Sequence, residues 1–303
     1  MTQATDHPLD IVIFGAGSLG SLIGGLLARA HDVTLVGRDP HTSTVRESGL
    51  RISGAVETRV WPGATTTPPA SADLAIVTVK AGDTTDAADA LADSALDGAL
   101  SLQNGMGNEA TLAESLSCPV LAGTCTYGAR LEAPGHVACT GLGEVVLGPR
   151  DGGHAASADD VGAAFGAADI ETTVSPAMPR RLWEKLAVNA GVNAVTALAR
   201  IENGALVDGP ASETAREAAR EVARVAGDEG VALATEDAAA DVVAVADATA
   251  ANTSSMHQDV LAGKPTEIDA INGYVLDVAD RPVPVNETLT ALIRSWERGA
   301  GLR

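Results

Sequence analysis

Basic residues are scarce in this chain. Its 303 residues carry 20 Lys and Arg against 40 Asp and Glu, a formal net charge of −20. Such a charge repels phosphate backbones and anionic headgroups, which excludes nucleic acid and membrane surfaces as partners. Aromatic residues are almost as rare, with two Phe, two Tyr and three Trp, so a core must be built from Ala, Val, Leu and Ile. The three cysteines (Cys118, Cys125, Cys139) are odd in number and form no CxxC pair, which excludes a disulfide framework and a cysteine zinc site. Six histidines are scattered without HExxH or His-x-His spacing, so no metal is predicted. No apolar run approaches the roughly 18 residues of a membrane span. The start, Met1 to Pro8, lacks the basic and apolar regions of a secretory signal, and a cytoplasmic location is expected.

Only three basic residues are lysines: Lys80, Lys185 and Lys264. An acidic, Lys-poor surface suits a high-salt cytoplasm, where screening shrinks self-repulsion; a high-GC coding bias would also replace Lys with Arg. Either way, each surviving lysine invites a specific reason.

The length suggests two domains. Short apolar runs at 11–14, 33–36, 74–79, 99–102 and 119–122 read as strands, separated by stretches long enough for crossover helices. That pattern predicts an N-terminal Rossmann-type α/β domain with a doubly wound parallel sheet, followed by a β-rich stretch from 135 to 147. After the proline-bearing segment 175–179 the periodicity becomes helical throughout, at 181–198, 211–229, 237–251, 267–280 and 287–298. The expected division is a dinucleotide-binding domain over 1–176 and an all-helical substrate domain over 177–303.

Gly15-Ala16-Gly17-Ser18-Leu19-Gly20 matches GxGxxG between an apolar strand and an apolar helix, predicted over 21–30. In that context it reads as a pyrophosphate-binding turn rather than an ordinary strand-turn-helix. The second strand ends in Arg38-Asp39. Arg38 stands where an NAD enzyme carries its ribose-binding acid, favouring NADPH; Asp39, one residue on, keeps NADH as the alternative. Lys80, closing the 74–79 strand, falls at the ligand-binding edge of the sheet, or else snorkels at the surface. Asn104, in Gln103-Asn104-Gly105, is either a turn residue or an amide that contacts cofactor and substrate.

In the second half, Lys185, Asn189 and Asn193 recur every four residues and share one helical face in an otherwise apolar segment. A plain polar stripe would explain them. So would a site, because an amide in an apolar helix needs a partner and a desolvated lysine has its pKa lowered into the range of a general acid. Thr266 reads as a helix cap with Glu267 and Asp269 in the first turn; Glu267 alternatively binds a substrate hydroxyl or the nicotinamide ribose.

Taken together, GAGSLG at 15–20, VTVKA at 77–81, QNGMGN at 103–108, GTCTYGA at 123–129, LWEKLAVNAGVNAVTAL at 182–198, NTSSMHQD at 252–259 and GKPTEIDAINGYV at 263–275 resemble the ketopantoate reductase (2-dehydropantoate 2-reductase) family nearly end to end. The resemblance implies a fold like that of 6-phosphogluconate dehydrogenase, and NADPH-dependent reduction of 2-dehydropantoate to (R)-pantoate, on the route to coenzyme A. Hydride would pass to the keto carbon while Lys185 protonates the carbonyl oxygen. The resemblance assigns nucleotide binding to Gly15, Ala16, Gly17, Ser18, Leu19, Gly20, Arg38, Lys80, Asn104, Ala129 and Glu267. It assigns substrate binding to Asn104, Lys185, Asn189, Asn193, Asn203 and Ser255. Tyr127-Gly128 stands where many relatives carry His-Ala. A small-molecule substrate and a homodimer are expected. The competing readings are a reductase of another small 2-oxo acid and a non-catalytic dinucleotide sensor.

Overall fold

The computed structural model describes residues 8–303; the start of the chain, with His7 and most of the segment read against a signal, lies outside them. In chain order the elements are β1 (Asp10–Phe14), α1 (Ser18–Leu27), β2 (Asp32–Val36), α2 (His41–Ser48), β3 (Leu50–Gly54), β4 (Thr58–Val60), β5 (Gly63–Thr65), β6 (Ser71–Val77), α3 (Thr84–Leu91), β7 (Ala95–Ser101), α4 (Asn108–Ser115), β8 (Val120–Cys125), β9 (Gly128–Ala133), β10 (His136–Gly141), β11 (Val145–Pro149), α5 (Ala156–Ala167), β12 (Thr172–Val174), α6 (Met178–Ala199), α7 (Ser212–Asp228), α8 (Thr235–Ala248), α9 (Ser255–Leu261), α10 (Tyr274–Val278) and α11 (Pro284–Gly299). They form two compact units. One runs to Gln103 and resumes over Gly107–Met178; the other joins Asn104–Met106 to Pro179–Arg303.

The first unit holds an eight-stranded sheet in the order β12-β11-β8-β7-β6-β1-β2-β5. From β8 to β5 every pairing is parallel. The chain adds β2 on one side of β1 and later β6 on the other, so the order reverses at β1, where open α/β folds bind ligands. Burial on both faces explains the near-continuous apolar strands. In β1, Ile11 and Ile13 enter one core layer and Val12 the opposite one; in β6, Leu74 and Ile76 oppose Ala75 and Val77. Two features go beyond the sequence reading. β11 runs antiparallel to β8, so the sheet is mixed at that edge. A second sheet, β4-β3-β10-β9, contributes Leu50, Ile52 and Val137 to the core layer that contains α1.

The second unit is helical, and small side chains let its helices approach closely: Ala190 and Ala194 of α6, Ala215, Ala218, Ala219 and Ala223 of α7, and Ala238 and Ala246 of α8 are all buried. Its aromatic content is concentrated in one contact, Trp183 with Tyr274, ring centroids 6.0 Å apart. α9 lies outside the helical segments that the periodicity predicts. The helix expected over 267–280 instead opens with a π-helical turn, Asp269–Gly273, in which the Gly273 N–H donates to Ile268 O. Among the described residues no helix is long and apolar enough to cross a membrane.

Candidate active site

The glycine turn is built by its neighbours. The N–H groups of Gly15 and Ala16 donate to Val36 O at 3.0 and 2.9 Å, and the Thr78 hydroxyl donates to Gly15 O at 2.8 Å. Gly15 has φ +112, and a Cβ there would lie 2.6 Å from the Val79 nitrogen. A Cβ on Gly20 would lie 2.2 Å from Gly15 O and 2.4 Å from Thr78 Oγ1, so the third glycine is dictated by the bond that closes the turn. α1 starts at Ser18, three residues before its expected start, because Gly17 already serves as its N-cap.

This turn fits a dinucleotide pyrophosphate. A Cβ on Gly17 would meet only Gly15 O, at 4.0 Å, so the backbone faces open space, and no side chain caps the first-turn N–H groups. Those groups and the helix dipole favour an anion. Ser18 turns its Oγ away, accepting the Leu131 N–H at 3.0 Å, which leaves its contribution to the backbone. Leu131 lies on β9, the strand that also carries half-buried Ala129.

At the end of β2, Asp39 Oδ1 accepts the Thr42 hydroxyl at 2.6 Å and the Ser43 N–H at 3.1 Å. It thereby caps α2, and the Thr42 hydroxyl above all holds its carboxyl below the usual range. Arg38 is exposed, and among the described residues its guanidinium pairs with no carboxylate. Behind this corner, buried His41 links three segments: Nε2 lies 3.0 Å from Ser21 Oγ, and Nδ1 accepts the Gly135 N–H at 3.1 Å. Burial holds its pKa below 6.5.

Lys80 does not close a strand as expected. β6 ends at Val77, and Lys80 precedes the 3-10 turn Ala81–Asp83, half-buried. Just past the strand, the Thr78 N–H still donates to Phe14 O at 2.9 Å while its hydroxyl bonds the glycine turn. After β7, buried Gln103 donates through Nε2 to Val79 O and to Thr84 Oγ1, which donates to Asn108 Oδ1. Sequence reasoning missed this buried network; its members look like ordinary loop and cap residues.

Asn104 falls in the other unit. Its Nδ2 donates to Glu267 Oε2 at 3.3 Å, and the Met106 N–H donates to Ala270 O at 3.1 Å. Gly105 between them has φ +83, and a Cβ there would lie 2.5 Å from Ala270 O, so only glycine permits this docking. Glu267 is not in a first helical turn but just before the π-turn, and Thr266 is not its cap: Ile268 holds the N-cap position, and the Thr266 Oγ1 accepts the Ile268 N–H at 3.2 Å in a local turn ahead of it.

On α6, Lys185 and Asn189 are half-buried and Asn193 is 5% exposed. One turn on, Thr196 Oγ1 lies 2.7 Å from Ser254 Oγ, and Ser254 caps α9 by accepting the His257 N–H. Ser255, the residue singled out in the sequence, is exposed at the first position of that helix. Asn203 is buried; its Nδ2 donates to Thr249 Oγ1 at 2.9 Å and its Oδ1 accepts nothing.

The chain matches the ketopantoate reductase PanE/ApbA family model over residues 11–152 and the C-terminal model of the same family over 177–297. It is 44% identical over 301 residues to a 2-dehydropantoate 2-reductase of Halobacterium salinarum, spanning 95% of this chain and 99% of that one. It is 38% identical to the 2-dehydropantoate 2-reductase of Archaeoglobus fulgidus, spanning 95% and 98%. A ketopantoate reductase structure from Ralstonia eutropha superposes with a TM-score of 0.88 at 33% identity, over 96% of this chain and 99% of that one. D-mandelate dehydrogenase, solved with NADH and anilino(oxo)acetate, shares the fold with a TM-score of 0.90 at 23% identity, over 97% of this chain and 100% of that one. The chain belongs to the ketopantoate reductase family of nicotinamide-dinucleotide-dependent oxidoreductases.

Proposed function

We propose that the chain reduces 2-dehydropantoate to (R)-pantoate with NADPH, in the cytoplasm and as a homodimer. The observation that carries the chemistry is the α6 stripe: a half-buried lysine followed at four-residue steps by two amides of increasing burial. NADPH, when bound, would supply the hydride that reduction of the keto group requires. Lys185 donates the proton that the carbonyl oxygen takes up as it becomes a hydroxyl, and its ammonium offsets the substrate carboxylate. Asn189 and Asn193 orient the 2-oxo acid along the same face. The orphaned Asn203 Oδ1 suits a substrate hydroxyl, since buried acceptors are otherwise satisfied. Ser255 adds a further hydroxyl, and Asn104 with Glu267 bridges substrate and cofactor.

The preference for NADPH over NADH rests on Arg38 and Asp39. A ribose-binding acid must turn its carboxylate outward, yet the Asp39 oxygen that caps α2 is already committed to Thr42 and Ser43. The unpaired Arg38 guanidinium remains for a 2′-phosphate. Gly15–Gly20 hold the pyrophosphate, with Lys80 and Ala129 flanking the dinucleotide.

Absorbance at 340 nm, followed with purified protein, ketopantoate and either nucleotide, tests the reading. Rapid oxidation of NADPH alone is expected, with kcat lowered about 10²–10⁴-fold in Lys185→Ala. Oxidation of NADH alone overturns the cofactor; a higher kcat/KM for 2-oxoisovalerate overturns the substrate; full activity of Lys185→Ala overturns the acid.

A further inference from the structure

We infer that Thr266 and Glu297 are positioning residues that hold Glu267 and Asn104 for catalysis; the inference rests on the binding role given to those two residues above. Glu297, near the end of α11, is 3% exposed. A buried carboxylate is costly unless its oxygens are filled. Here they are: Oε1 accepts the Thr266 N–H at 2.8 Å and the Thr266 hydroxyl at 2.7 Å, and Oε2 accepts the Arg303 Nε–H at 2.9 Å. Charge-assisted bonds of this kind are the strong ones.

The clasp leads straight to the site. Thr266 is adjacent to Glu267, and its Oγ1 also receives the Ile268 N–H, so the backbone is pinned on both sides of Glu267. From there the Glu267 carboxylate receives Asn104 Nδ2, and the π-turn receives the Met106 N–H at Ala270 O. The same turn is held outside by Asp269, which pairs with Arg294 at 2.7 Å and with Arg303. The segment 104–106 is joined to its unit through these contacts, so a loosened 266–270 turn displaces both polar groups at once. Displacements of about 1 Å in a reacting geometry cost up to about 10²-fold in rate.

A double-mutant cycle between Thr266→Val and Glu267→Ala tests this in the intact protein, reading kcat/KM for ketopantoate. Thr266→Val is expected to cost about tenfold in the parent and less than about twofold in Glu267→Ala, with Thr266→Ser restoring most of the loss. If Glu267→Ala is impaired but Thr266→Val costs the same in both backgrounds, or lowers only the melting temperature, the positioning role is overturned and the role of Glu267 stands. If Glu267→Ala is as active as the parent, the binding role of Glu267 falls and takes the positioning role with it. Glu297→Gln, which keeps the shape, is expected to reproduce the kinetic loss of Thr266→Val; unchanged kinetics in a folded Glu297→Gln also overturns the inference.

Discussion

At the scale of single residues, the proposed preference for NADPH turns on what Asp39 does with its carboxylate. In the chain order, Arg38-Asp39 is ambiguous, because a turn shifted by one residue exchanges their positions. In the folded chain Thr42 and Ser43, three and four residues on in the first turn of α2, take Asp39 Oδ1, which is the observation behind the proposed preference for NADPH. Arg38→Ala is therefore expected to raise KM for NADPH at least about tenfold, the loss of a charged contact worth about 1.5–3 kcal/mol, while leaving KM for NADH within about twofold. Initial rates over a range of each nucleotide check this; equal losses for both would assign Arg38 to something other than the 2′-phosphate.

At the scale of elements, His41 ties α2 to α1 through Ser21 and to the β9–β10 hairpin through Gly135. Because Nδ1 accepts from a backbone N–H, the bridge exists only with the ring neutral, and burial keeps it so. The folded pKa lies below 6.5, so as pH falls below 6.5 the unfolded chain takes up the proton first. Stability is thus fully present above pH 6.5 and is lost as pH drops toward the folded pKa. His41→Asn, which offers a similar acceptor without titrating, is expected to flatten this part of the profile. Melting temperatures of both proteins between about pH 7.5 and 5 decide the matter, and parallel curves would exclude His41 as the titrating link.

At the scale of the whole molecule, the net charge of −20 works against the compact state, and its local ion pairs offset only part of that. Pairs such as Arg220 with Glu213 and Glu236, or Arg29 with Asp169, involve exposed carboxylates and contribute little singly. We propose that the protein is adapted to high salt. Raising KCl from about 0.1 M to 2 M, as the screening length shrinks from about 10 Å to below 3 Å, is expected to raise the melting temperature steadily. A flat or falling Tm across that range would count against adaptation to salt and in favour of base composition as the source of the Arg bias.

Much of this molecule was legible in order of residues alone, because the relevant physics is local. GxGxxG between an apolar strand and an apolar helix announces a tight strand-to-helix turn, since the glycines, the strand and the helix start all lie close together in the chain. The Lys185–Asn189–Asn193 stripe needs only the helical period to align. Long-range pairing decided the rest. The small β4-β3-β10-β9 sheet joins strands some 80 residues apart, and nothing in a three-residue strand such as Thr58–Val60 reveals its partner. The Glu297–Thr266 clasp spans 31 residues and the Asn104–Glu267 bond 163, and neither glutamate differs in sequence from a solvated one. Burial makes a carboxylate structural, and burial is a property of the packed chain.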